Sequence, residues 1–578
     1  MTAAMGKLRA MIPRWARDYH RGKVPGDLTA GLVVAMLLVP QSMAYAALAG
    51  LPPHIGLYAS VLPLVAYALA GSSAVLAVGP VAVVALMTGS ALEQIAEPGS
   101  VEYIAAAATL ALISGAMLLA AGLVRLGALA NFLSHPVISG FTSGAAVVII
   151  VSQLGPLLGL QVDKGPAAAM LVSIGRGITD VDSRTAAMAL SALMLLWLAR
   201  PTVPALLRRL GLPGHAASLL AKLTPMVIVL AGTALVASTG WHQQGLAVAG
   251  ELPDGLPAAA LPTLEWPLVT ALLLPALLIS ILGFMESVSV ASALARKRRE
   301  HVEADAELRG LGLANLGGGI TGAMPVTGGF SRTAVNADAG AGSPLAGVIT
   351  AGIIALVLLF ATDLFATLPM AVLAAIIIVA VTPLIDIQGL RRLWSYDRAD
   401  ALAMGATAAG VILLGVEAGI ATGVVFSLGV VVWRASHPHI AEVGQVPGTE
   451  HFRNICRHRV NTRDGLLMLR VDENLFFGNA EAVASSIQQS LRGRQPSVSD
   501  LVLIMSSVSH IDATALETLE ALQRTLADNA VRLHLAEVKG PVMDRLEGTH
   551  FLRELDGQVW LSSQAAFAGL PGHLQPQS

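Results

Sequence analysis

The chain has 578 residues, 54% hydrophobic and only 13% charged, with a mean hydropathy of +0.69. A soluble fold of this length exposes far more charge, so the composition excludes a soluble globular protein. The formal net charge of −2 singles out no partner and gives no reason to expect nucleic acid, and the single cysteine, Cys456, excludes an intrachain disulfide and a cysteine-type zinc cluster.

The N-terminal stretch carries Lys7, Arg9, Arg14 and Arg17, with no cleavable apolar segment before Asp27. Beyond it, whole windows lack Asp, Glu, Lys and Arg: Leu28 to Leu92, Leu126 to Val162, Trp266 to Met285 and Leu364 to Ile385. Each holds at least one helix of about 20 residues, the length needed to cross a bilayer core. Fourteen apolar segments follow in order, centred near Ala35, Leu62, Val84, Leu112, Val148, Leu190, Val229, Leu277, Leu313, Ala334, Ile353, Ile376, Thr407 and Val424. The expectation is an all-α polytopic membrane domain over residues 27–434, after a cytoplasmic segment 1–26.

Charge orients it. Basic groups precede segment 1 (Arg17, Arg21, Lys23) and follow segments 6 (Arg200, Arg208, Arg209, Lys222), 8 (Arg296 to Arg299) and 12 (Arg391, Arg392, Arg398). The loop between segments 7 and 8 has Glu251, Asp254 and Glu265 but no Lys or Arg, and the one after segment 3 has Glu93, Glu97 and Glu102. Basic loops face the cytoplasm, which with fourteen spans places both termini in the cytoplasm and leaves scattered Lys164, Arg176 and Arg184 outside; the expected location is the cell inner (plasma) membrane.

Segments 3 and 10 begin abruptly after Gly/Pro clusters, Val78-Gly-Pro-Val81 and Pro325-Val-Thr-Gly-Gly-Phe330. The second cluster belongs to Asn315 to Asn336, which has six glycines, a proline and Arg332. Such density breaks helices, and non-helical backbone at membrane depth survives only when buried in protein or lining a wet cavity. The two short segments are third in each set of seven, the pattern of a 7+7 inverted repeat with two broken half-helices around a midplane site. A plainer expectation stands beside it: the glycines permit close helix packing. Asn131 to Pro136 reads as a loop.

After Trp433-Arg434 the character becomes soluble. A linker is expected at 435–459, then a small α/β domain at 460–566: strand Leu466–Val471, helix Ala480–Arg492, strand Leu501–Met505, a helix capped by Asp512 to about Leu526, strand Arg532–Ala536 and helix Val542–Glu547. Residues 567–578 are expected as a tail, frayed over its last seven.

Val39-Pro-Gln-Ser-Met-Ala-Tyr-Ala-Ala-Leu-Ala-Gly-Leu-Pro-Pro-His-Ile-Gly-Leu-Tyr-Ala-Ser60 closely resembles the signature of the SulP anion permeases, relatives of solute carrier family 26. Val78-Gly-Pro-Val81, Gly140-Phe-Thr-Ser-Gly144, Glu286-Ser-Val-Ser-Val290 and Pro325 to Asn336 agree with it. Asn474-Leu-Phe-Phe-Gly-Asn-Ala480 and Ile511-Asp-Ala-Thr-Ala-Leu516 resemble a STAS domain. The resemblance implies two intertwined seven-helix repeats, a core moving against a gate, a cytoplasmic STAS domain, a homodimer, and elevator-like transport of a small anion. Sulfate moved inward with protons is the preferred cargo; a C4-dicarboxylate or bicarbonate carrier and an anion channel are the alternatives.

The residues give that reading its chemistry. Phe330, Ser331 and Arg332 open segment 10 and Val81 opens segment 3, so two helix N-termini offer free N–H groups and dipoles to an anion. Gln41 and Tyr45 share one face of segment 1, and the resemblance implies that they line the cavity. Glu286 lies ten residues before Arg296, about 15 Å along a helix, near mid-membrane, where a carboxylate is costly. Burial favours its neutral form and Arg332 its charged form, so it is the candidate proton carrier; the rival is a fixed ion pair with Arg332. A fixed negative charge at Glu286 also argues against a channel. Sodium-driven members of the family tend to have an Asp/Thr arrangement in this segment, so Glu286 favours protons. In the STAS domain Ala513 stands where related anti-sigma antagonists carry a phosphorylated serine. That leaves Asp512 and Thr514 as regulatory candidates against a docking role, with a cytoplasmic protein partner open. His510 and Asp512 have no nucleophile arranged with them, and no enzyme, cofactor or metal site is expected.

Overall fold

The computed structural model describes residues 13–17, 19–131, 135–162, 165–253, 255–259, 262, 264–494 and 497–577. Lys7, Arg9, Lys164 and Asp254, and residues 132–134 of the expected loop, lie outside them. The chain forms two compact units, Met1–Ser427 and Leu428–Ser578.

Fourteen helices of the membrane unit contain the fourteen expected centres, one each. They are α1 (Val24–Leu48), α2 (Leu62–Ala70), α3 (Ala82–Leu92), α4 (Val101–Leu123), α5 (His135–Leu158), α6 (Ser183–Arg209) and α7 (Thr224–Thr239). The second seven are α8 (Trp266–Arg298), α9 (Ala304–Ile320), α10 (Phe330–Asp338), α11 (Leu345–Phe360), α12 (Met370–Val381), α13 (Arg398–Leu414) and α14 (Val416–Ser436). Among the described residues eight helices are long and apolar enough to cross a membrane, nine if the bent pair Gly214–Ala221 and Thr224–Thr239 counts as one span. The third and tenth fall short: at 1.5 Å per residue, the 11 residues of α3 and the 9 of α10 rise only about 16 and 14 Å. His135 and Pro136, expected in a loop, already belong to α5.

The glycine-rich stretch behaves in two ways. Residues 317–319 are helical and close α9, rather than forming irregular backbone. Their neighbour Gly312 shows why: a Cβ there would lie 2.6 Å from the backbone nitrogen of Leu119, and one at Gly115 would lie 2.6 Å from that of Leu316. Helices α4 and α9 therefore touch backbone to backbone, and close packing explains this half of the stretch. Irregular backbone begins only at Thr321. It leads to strand β2 (Thr327–Gly328), which pairs antiparallel with β1 (Val78–Gly79) through Val78↔Gly328 and Gly79↔Thr327. The core around this crossing is apolar, with Leu38, Met43, Val84, Phe141, Ile149 and Leu272 all buried.

The C-terminal unit is an α/β layer. Its strands are β3 (Ile440–Gln445), β4 (Phe452–Asn454), β5 (Val460–Arg463), β6 (Leu466–Val471), β7 (Asp500–Ile504), β8 (Arg532–Ala536), β9 (Val559–Trp560) and β10 (Leu574–Gln577). They run in the order β10-β5-β3-β6-β7-β8-β9, with β4 on β3 and β6 to β9 parallel. Helices α15 (Ala480–Leu491), α16 (Ala513–Asp528), α17 (Gly540–Leu546) and α18 (Ser563–Gly569) accompany it. Alternation sorts the sheet: Leu467, Leu469, Leu501, Leu503 and Leu533 enter one core with Leu519 and Leu522, whereas Met468, Val502 and Ile504 meet Phe567 on the other face. Two expectations are corrected. Strands β3 and β4 arise within the expected linker, and residues 574–577 are not frayed, because their backbone pairs antiparallel with β5.

Candidate functional site

Gly/Pro clusters end the helical ladder before α3 and α10, and the β1–β2 pairing takes up the freed backbone groups. The caps are Val81 and Gly329, and neither helix has a side-chain cap. The first N–H groups of both helices thus start from one crossing without a competing side chain, an arrangement that favours a negative charge.

Polar side chains brace the crossing. Asn315 of α9 donates to the Val326 carbonyl and accepts from the Val326 N–H, both at 2.9 Å. Ser287 of α8 lies 2.7 Å from the Thr327 hydroxyl and accepts from the Gly328 N–H at 2.9 Å. From α10, the Thr333 hydroxyl accepts from the Ala77 N–H at 3.1 Å, and Asn336 donates to the Val75 carbonyl at 2.8 Å. None of these four was assigned a role from the sequence. Ser287 and Asn315 carried the signal: one follows Glu286 and the other opens the glycine-rich stretch.

Arg332 is 2% exposed, and its Nη1 donates to the Pro80 carbonyl at 2.6 Å, which ties α10 to the entry of α3. Its Nε and Nη2 are buried with no hydrogen-bond partner. Glu286 and Tyr45 are both near enough to interact with it electrostatically. Among the described residues Glu286 forms no ion pair with Arg332 within 4 Å, so the fixed-pair alternative is not the arrangement present.

The other candidates divide. Gln41 and Tyr45 are buried on α1, which packs against α3 and α10. Gln41 and Ser331 line one cavity of about 360 Å³, together with Arg200 of α6, Thr224 of α7 and Ile376 of α12. Val81 is buried as the α3 cap, whereas Phe330 is exposed. Tyr45 and Arg332 are buried and Glu286 is half-buried; the three lie within electrostatic reach of one another and do not line that cavity. In the C-terminal unit Asp512 caps α16, accepting 2.8 Å bonds from the Ala515 and Phe477 N–H groups, which hold its carboxyl below the ordinary aspartate value. Thr514 is exposed beside it.

Comparison with known proteins completes the picture. Residues 24–407 match the sulfate permease family and residues 458–566 match the STAS domain. The chain is 35% identical over 559 residues to the chloroplastic sulfate transporter 4.1 of Arabidopsis thaliana, covering 95% of this chain and 80% of that one. It is 36% identical over 540 residues to a probable sulfate transporter of Mycobacterium tuberculosis, covering 93% and 94%. Its fold is like that of the murine solute carrier 26 member A9 anion transporter in the inward-facing state, with a TM-score of 0.83 at 23% identity over 95% of this chain and 92% of that one. It is also like the transmembrane domain of a cyanobacterial bicarbonate transporter, with a TM-score of 0.59 at 24% identity over 71% and 99%.

Proposed function

The chain belongs to the sulfate permease family, a family of membrane anion transporters and not of enzymes, and on that premise we propose a secondary active carrier that moves a small oxyanion, sulfate by preference, together with protons. The observation that carries the proposal is the meeting of two uncapped half-helix N-termini beside a buried, half-partnered Arg332. Backbone donors on a fixed crossing favour an anion without the deep trap of a full countercharge. Ser331 adds a hydroxyl donor from the cavity side, and Gln41 an amide on the facing helix. Tyr45 places a phenol beside the guanidinium.

Glu286 supplies the coupling. It stands on α8, which packs against β2, α3 and α10. Ionised, it neutralises part of the field of Arg332 and opposes a dianion; protonated, it leaves that field to the substrate. One proton therefore travels with the anion, and the empty carrier returns with the charge restored. Helix α1 packs on α3 and α10, and α8 packs on α3 and α10, while residues of α1 and α10 line the cavity together with residues of α6, α7 and α12. Sliding α1, α3, α8 and α10 past α6, α7 and α12 would carry the anion across, an elevator-like exchange of access.

The test is uptake of radiolabelled sulfate into proteoliposomes. An inward proton gradient is expected to accelerate uptake, and sulfate is expected to outcompete bicarbonate, chloride, fumarate and succinate. Uptake indifferent to pH but dependent on sodium would overturn the proton coupling, and competition led by another anion would overturn the choice of sulfate.

A further inference from the structure

Two fully buried carboxylates of the membrane unit take no part in the site, and they are solvated in the same way. Glu307, near the start of α9, accepts from the Ser72 N–H at 2.8 Å, the Ser73 N–H at 2.9 Å, the Ser72 hydroxyl at 2.7 Å and the Tyr67 hydroxyl at 2.8 Å. Asp27, in the first turn of α1, accepts from the Gly342 N–H at 2.6 Å, the Ser343 N–H at 3.0 Å, the Ser343 hydroxyl at 2.7 Å and the Tyr19 hydroxyl at 3.0 Å. Both residues are 0% exposed, and among the described residues neither has a cationic partner within 4 Å. Four donors occupy each carboxylate: two consecutive backbone N–H groups, a serine hydroxyl and a tyrosine hydroxyl. An ion so ligated needs no countercharge.

What they grip gives them a purpose. Ser72 and Ser73 form the corner that leads into β1, and Ser73 passes the restraint on by accepting from the Val75 and Leu76 N–H groups. Gly342 and Ser343 form the corner that follows α10. Each carboxylate therefore belongs to one seven-helix half and holds a corner next to the broken helix of the other. Helix α9 holds two approaches to the crossing. Glu307 secures the approach to β1, and Asn315, eight residues or about 12 Å further along the helix, secures the approach to β2 through Val326. The two strands that cross at the site are thus set against a single rigid rod.

We propose that Glu307 is a positioning residue for anion binding, a clamp that fixes the two half-helix N-termini at the separation at which both face one anion, while Asp27 anchors the far end of α10. The inference rests on the anion-carrier reading above. A glutamine at 307 keeps the shape but loses the charge, and its NH2 finds at best the Tyr67 hydroxyl as an acceptor, so the grip on the corner is weakened while the fold around it is kept.

The experiment measures sulfate-dependent thermal stabilisation of the purified full chain, for wild type and Glu307→Gln, each with Arg332 and with Arg332→Ala. The expected result is an apparent Kd raised about fivefold or more by Glu307→Gln beside Arg332, and by less than about twofold in the Arg332→Ala background, where the Arg332–Pro80 tie that couples the two half-helix starts is already lost. Glu307→Asp, which keeps the carboxylate, is expected to recover part of the affinity. A folded Glu307→Gln chain with unchanged Kd, or an equal loss in both backgrounds, overturns the proposal. If Glu307→Gln does not fold, Tyr67→Phe and Ser72→Ala each remove one donor, and unchanged affinity in both overturns it as well. Absence of stabilisation by any anion in the wild type overturns the carrier reading and this inference together, whereas loss confined to the variants supports both.

Discussion

Arg332 and Glu286 interact through space without forming a close ion pair, and the two unpartnered guanidinium nitrogens give that separation a consequence. A buried donor left unsatisfied is costly, and an anion at the half-helix crossing would relieve the cost. Replacing Arg332 with Ala removes a charge-assisted contact worth about 1.5–3 kcal/mol, so the sulfate Kd is expected to rise about 10- to 100-fold. Titration by thermal stabilisation or calorimetry checks this, and an unaltered Kd would leave Arg332 as only the tie between α10 and Pro80. Arg332→Lys is expected to rescue little, since an ammonium lacks the planar fork that reaches Pro80 and an anion together. Glu286→Gln imitates the protonated carrier permanently. It is expected to abolish uptake against a gradient while retaining sulfate–sulfate exchange; concentrative uptake by that variant would remove Glu286 from the coupling.

Elements decide whether those residues meet. The Gly/Pro clusters before α3 and α10 were legible as breaks because helix chemistry is local, and the fourteen segment centres were legible because apolar length is local. The β1–β2 pairing was not, since two-residue strands leave no alternating pattern to detect. Gly317 to Gly319 were read with the break because sequence shows a glycine without showing what approaches it. Here α2 approaches Gly317 and Gly318 and α4 approaches Gly319, and the α4 contact makes a prediction earlier on α9. Gly312→Ala would place a methyl 2.6 Å from the Leu119 nitrogen, a backbone atom that cannot rotate aside. Helices α4 and α9 must part, at a cost of about 1–3 kcal/mol, and because α9 carries Asn315 the strain reaches β2. A lower thermal midpoint in detergent, together with weaker sulfate binding, is the expected outcome. A lower midpoint with unchanged binding would confine the role of α9 to stability.

On the scale of the whole molecule, the membrane unit and the STAS unit solve the problem of buried charge differently, and the second solution depends on pH. Asp500 of β7 is 0% exposed, and burial pushes its carboxyl up. Hydrogen bonds from Ser499 at 2.8 Å and His534 at 3.0 Å, with Arg532 at 2.8 Å, outweigh burial and hold it below the ordinary aspartate value. His534 meanwhile accepts from the Gln558 N–H at 3.0 Å, next to edge strand β9. The cluster thus joins β7, β8 and the lead into β9. A depressed carboxyl contributes stability that is complete above the unfolded value of about 3.9, and that contribution fades as pH falls through the lower folded value. Asp500→Asn removes it at every pH, with a loss near neutrality of about 1–3 kcal/mol. Hydrogen exchange of the full chain, corrected for intrinsic rates, reads this directly. Peptides covering β7 and β8 should exchange about 10- to 100-fold faster in the variant at neutral pH, with wild type and variant converging below about pH 4. Peptides from α1 and α10 should be indifferent. A difference that persisted undiminished in acid would mean that packing around β7, rather than the Asp500 charge, holds the sheet together.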